Sequence, residues 1–130
     1  MGKYEDTIED IKQTFGIVPG FMKAIPKDVL MQDWPLMKKY QLGESKIPAK
    51  YREFIGLAIA ANIKCPYCSL MHTAMATGYG ATDDEIAEVA FLASLTSRWS
   101  AMLHALQYNY DTFTKEVHQI GEHAKKTARK

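Results

Sequence analysis

Cysteine is scarce in this chain. There are two in 130 residues, and both stand in one run, Cys65-Pro66-Tyr67-Cys68. A single pair excludes a multi-bridge disulfide scaffold and, with no second pair, a four-cysteine zinc site. Net charge is nearly absent as well, since 16 Lys and Arg face 15 Asp and Glu to leave +1. That balance excludes a global basic field that would recruit nucleic acid or an anionic membrane. No run of about 18 apolar residues occurs, so no membrane-spanning helix is predicted. Alternating strand patterns, internal repeats and glycine-rich phosphate loops are also missing, and no organic cofactor is expected. The N-terminal run Met1-Gly2-Lys3-Tyr4-Glu5-Asp6 is charged and has no apolar signal core, which predicts a cytoplasmic protein. In a reducing compartment, two cysteines three apart point to catalysis or metal binding rather than to a structural staple.

What is present reads as an all-α fold, a single domain over 1–130 built as a bundle of about six to seven helices. Residues 4–15 place Ile8, Ile11 and Phe15 on one helical face, and the run from Gly16 to Gly20 breaks that helix. A short turn over 21–25 stops at Pro26. The next helix opens near Asp28 and runs to about Leu42, with Pro35 set to kink or divide it and Gly43 to end it. Pro48 suits the first turn of a helix over 48–62, whose broad apolarity predicts burial on most sides. Pro66 fits the first position of the next helix, with Cys65 as its cap, and the run Gly78-Tyr79-Gly80 closes it. Thr82-Asp83-Asp84-Glu85 is a capping box. The helix it starts either continues or breaks near Ser97-Arg98-Trp99-Ser100. A last helix covers 109–126, and the basic run from Lys125 to Lys130 suits a solvated helix end. Trp34, Trp99, Tyr108, Tyr110 and Phe113 are expected in the core or at a subunit interface.

The cysteine run carries the chemistry. Residues three apart on a helix share a face, so the sulfurs of Cys65 and Cys68 can approach bonding distance. A helix N-terminus favours the thiolate, which is the nucleophilic form. His72 lies one turn beyond Cys68 on the same side, where it can accept the thiol proton. Glu53 falls in the buried-looking stretch Tyr51-Arg52-Glu53-Phe54-Ile55-Gly56, and a carboxylate there needs a partner. Taken alone it would most often be an ion-pair partner, for Arg52 or Arg98. Tyr67 is expected to act as a lid or packing residue beside the sulfurs. Helix-cap physics makes Cys65 the more ionised sulfur, whereas the spacing to His72 favours Cys68. Zinc held by Cys65, Cys68, His72 and Glu53, or a pair of inert buried cysteines, are the alternatives to redox use.

The pattern of Glu53, eleven residues, Cys65-Pro66-Tyr67-Cys68, three residues and His72 resembles the alkylhydroperoxidase D-like branch of the carboxymuconolactone decarboxylase superfamily. The run from Gly78 to Ile86 also resembles the family's stretch after the motif. The resemblance covers residues 17–95 and is strongest over 50–90. It implies an all-helical fold and a homo-oligomer, a trimer or hexamer. It further implies that Cys68 attacks a hydroperoxide, that Cys65 resolves the sulfenic acid to a disulfide, and that Glu53 and His72 relay protons. An external dithiol, protein or small molecule, would restore the thiols. The family's peroxidase prototypes carry a second histidine where this chain has Tyr67. Disulfide reduction or dithiol electron transfer without a peroxide is the main competing expectation, followed by a zinc-bound or redox-sensing interaction module. Lactone decarboxylation does not require paired cysteines, so the motif argues against it.

Overall fold

The computed structural model describes residues 2–128, so Met1 of the charged N-terminus and Arg129 and Lys130 of the basic tail lie outside it. Among the described residues there are seven α-helices and no strand. They are α1 (Lys3–Phe15), α2 (Gly20–Lys23), α3 (Lys27–Met37), α4 (Ala49–Ile63), α5 (Pro66–Gly78), α6 (Asp83–Ala105) and α7 (Tyr110–Ala128). A π-helical segment, Lys38–Leu42, extends α3.

The first three helices close around large side chains. Ile11, Met22, Leu30 and Trp34 are buried together, with Ile8, Phe15, Val18 and Ile25 packed against them. Phe15 meets Trp34 edge to face, with ring centroids 5.5 Å apart. The Trp34 indole N–H donates to Asp10 Oδ2 at 2.7 Å, which satisfies the one polar group this ring takes inside. Pro35 stays within α3, and the helix widens after Met37. Gly43 N–H then reaches back to Lys38 O at 2.8 Å, the five-residue step of a π-turn, and the chain leaves in extended conformation.

The second half is organised around α4, which packs on α5 and α6 and also touches the π segment. Lys64 takes the left-handed conformation (φ 60°) at the end of α4, and Cys65 N–H bonds Ala60 O at 3.0 Å. This tight reversal starts α5 two residues later. The predicted capping box forms in both directions: Thr82 Oγ1 accepts from Glu85 N–H and Glu85 Oε1 accepts from Thr82 N–H. Glu85 also pairs with Lys50 at 2.9 Å, which ties the start of α6 to α4. Its carboxyl is held below the usual carboxylate range, first by the Thr82 backbone N–H and then by Lys50. α6 runs unbroken through Ser97–Ser100.

One expectation is corrected: α4 is not buried on most sides. Its Glu53, Leu57 and Ala60 face is covered, but Tyr51, Ile55, Ile59 and Ile63 remain exposed because no element lies over them. Of the aromatic residues expected in the core or at a subunit interface, Trp34 is in the core, while Trp99, Tyr108, Tyr110 and Phe113 are exposed on the single chain. No helix is long and apolar enough to cross a membrane.

Candidate active site around the cysteine pair

Cys65 is the N-cap of α5, with extended backbone and Pro66 at the first helical position. Its Sγ accepts the Cys68 backbone N–H at 3.1 Å. The cap interaction therefore reaches a sulfur directly, as the cap position requires. The Cα atoms of Cys65 and Cys68 are 5.4 Å apart and the two sulfurs are bonded to each other as a disulfide. Both cysteines are half-buried.

His72 stands one turn after Cys68 on α5, and its Nδ1 is 2.7 Å from Glu53 Oε2 on α4. Glu53 is 5% exposed, the only buried charged residue among those described. The carboxylate thus meets its requirement for a partner through the neighbouring helix. Arg52 turns away instead and donates from Nη1 to Tyr40 O at 2.7 Å, while the Arg98 guanidinium lies over the Trp99 ring. The alternative in which Glu53 pairs with Arg52 or Arg98 does not form. In the tautomer that donates Nδ1–H to the carboxylate, the lone pair of the ring sits on Nε2.

Gly56 is the residue that sequence reasoning passed over. It lies one turn after Arg52 on α4, beneath the imidazole. A Cβ there would stand 2.5 Å from His72 Nε2 and 2.6 Å from Nδ1. Only glycine lets the two helices approach closely enough for the Glu53–His72 bond. The signal was available: a glycine inside a helix destabilises it by about 1 kcal/mol relative to alanine, so it asks for a packing reason.

The cysteines open on different sides. Cys68, His72, Glu53 and Gly56 line a groove of about 460 Å³, walled by Ile55, Ile59 and Ile63 of α4 and by Tyr40 and Gln41 of the π segment. Cys65 lines a separate hollow of about 400 Å³ with Pro66, Ser69, Ala60, Ala61 and Lys64. Tyr67 lines neither. It is 83% exposed, so the expectation of a lid or packing residue beside the sulfurs is corrected. The middle positions of the cap turn point outward while Cys68 turns in towards α4. No group of three or more His, Cys, Asp or Glu side chains among the described residues is arranged to hold a metal ion.

Comparison with known proteins agrees with this fold. The model of the carboxymuconolactone decarboxylase family matches residues 29–109. The fold superimposes on the crystal structure of the alkylhydroperoxidase AhpD core from Rhodospirillum rubrum with a TM-score of 0.73. The identity is 28%, over 86% of this chain and 85% of that one. No protein of curated function matches the chain.

Proposed function

The chain belongs to the carboxymuconolactone decarboxylase family, and from that premise we propose that it is a thiol-dependent hydroperoxide reductase that cycles Cys65 and Cys68 between dithiol and disulfide. The observation that carries this reading is the sharing of one open groove by Cys68, His72 and the buried Glu53. The similarity to an alkylhydroperoxidase core supports it.

The cycle balances with these residues, a hydroperoxide as oxidant and an external dithiol as reductant. The Cys68 thiolate attacks the terminal peroxide oxygen, the O–O bond breaks, and the sulfur loses two electrons to become a sulfenic acid. The other oxygen leaves as an alcohol after taking a proton. Cys65 then attacks the sulfenic sulfur, the disulfide forms and water leaves. An external dithiol, protein or small molecule, exchanges with the disulfide and is itself oxidised. His72 Nε2 takes the Cys68 proton and returns it to the leaving oxygen, while Glu53 holds the ring through Nδ1–H. Cys65, which opens on its own hollow, is the sulfur that the reductant meets. Tyr67 has no part in the proton path. Decarboxylation, which the family name records, makes no use of a cysteine pair.

A homo-oligomer, trimer or hexamer, belongs to the same proposal. Tyr110, Phe113, Val117 and Ile120 form an apolar stripe along α7, and none of that helix's described residues is buried. A second copy of the chain covers such a stripe without any new chemistry.

The test is peroxide consumption by the purified protein with a generic dithiol as reductant. Turnover of an organic hydroperoxide is expected. Disulfide turnover without peroxide turnover would replace this reading with a disulfide reductase or electron carrier.

A further inference from the structure

Arg52 is the one cation in the wall of the Cys68 groove, and the proton relay makes no use of it. It is half-buried. One of its five N–H donors bonds Tyr40 O, and its Nε is buried with no hydrogen-bond partner. Lys38, Lys50 and Lys125 each have a carboxylate within salt-bridge distance, but among the described residues Arg52 has none. The adjacent carboxylate, Glu53, is committed to His72. The groove therefore holds an uncompensated guanidinium.

The remaining wall is aliphatic. Ile55, Ile59 and Ile63 stand along α4, and Ile47 faces them from the loop before it. Arg52 and Ala60 are both groove residues on α4, eight positions apart, which is roughly 12 Å at the helical rise. Cys68 and His72 enter from α5. The groove thus offers a cation, an apolar strip of about that length, and the reactive sulfur.

We propose that this groove binds a carboxylate-headed alkyl chain, with the carboxylate on Arg52, the chain along the isoleucines and the reacting group at Cys68. Resting on the peroxidase reading, the substrate class is then a free fatty-acid hydroperoxide rather than hydrogen peroxide or an esterified lipid. A carboxylate accepting from a guanidinium is the strong form of hydrogen bond, and the aliphatic chain gains by leaving water.

Two measurements separate this claim from the reading beneath it. The first is binding of decanoic acid and of methyl decanoate to the disulfide form, which needs no turnover. The acid is expected to bind about tenfold tighter, with the difference lost in Arg52→Gln and partly kept in Arg52→Lys. Equal binding by wild type, or a preference that survives Arg52→Gln, overturns the carboxylate site. The wild-type comparison decides even where a variant fails to fold. The second is the KM for a fatty-acid hydroperoxide against its methyl ester. A lower KM for the acid supports the substrate class. Reduction of both with one KM overturns it and leaves the peroxidase reading intact. Preferential acid binding with no hydroperoxide turnover overturns the peroxidase reading and leaves the carboxylate site intact.

Discussion

The two halves of this molecule use apolar residues in opposite ways. In α1–α3, large side chains form the core: Ile11, Met22, Leu30 and Trp34 are buried together, although Phe21, Val29 and Leu36 of the same helices stay exposed. In α4–α6, the buried positions are mostly small, with Ala60, Ala76 and Ala93 beside Leu57. The bulky residues Ile55, Ile59, Ile63 and Leu70 face outward. Small residues let helices approach closely. That closeness brings Glu53 on α4 to His72 on α5 across Gly56. The first half is packed for stability, and the second gives up large-residue packing for a buried polar pair beside a dithiol.

Substitutions that treat the halves alike should therefore fail in different ways. The largest effect on rate is expected in the second half. Glu53→Gln keeps the shape but removes the charge that orients His72, and peroxide turnover should fall roughly 10²-fold or more. Thermal stability should change by no more than about 1–3 kcal/mol. Gly56→Ala should reproduce the loss of rate by displacing the imidazole. If steady-state kinetics of both variants match wild type, the pair has no part in the chemistry.

In the first half the order reverses. Leu30→Ala opens a cavity in a fully buried site, and urea unfolding should report a loss of about 2–5 kcal/mol. The alkylation rate of Cys68 below the unfolding transition should stay at the wild-type value. A change in that rate would mean that the two halves are not energetically separate.

The smallest effect belongs to Asp10, which bonds both Lys38 and Trp34. Lys38, then Trp34, holds its carboxyl below the ordinary value of 3.8. A depressed carboxyl adds stability above its unfolded pKa and loses it as pH falls through the folded value. Asp10→Asn should then cost less than about 1 kcal/mol at neutral pH, because the pair is solvent-exposed. The gap from wild type should close in strong acid. Urea midpoints measured across that range check the sign, and a gap that widens in acid would contradict it.

Most of the fold was legible because its signals are local. The capping box at Thr82–Glu85, the caps at Cys65–Pro66 and Gly43, and the face formed by Ile8, Ile11 and Phe15 each need only neighbouring residues. The site was legible as far as spacing reaches. His72 follows Cys68 by one turn, whereas Glu53 comes near it only through the crossing of α4 and α5, which periodicity does not contain. The misreading of α4 has a simple cause. An apolar residue such as Ile59 reads the same whether its face is covered or bare. Tyr67 was misplaced because the direction of a cap-turn side chain depends on how α5 meets α4.

The central claim is that Cys68, in the His72 groove, meets the oxidant while Cys65 resolves it. It is tested most directly by sulfenic-acid trapping in the single-cysteine variants after one equivalent of hydroperoxide, read by mass spectrometry. Cys65→Ser is expected to accumulate a trapped adduct on Cys68, and Cys68→Ser to accumulate none on Cys65. An adduct on Cys65 in Cys68→Ser, with none on Cys68 in Cys65→Ser, would contradict the account.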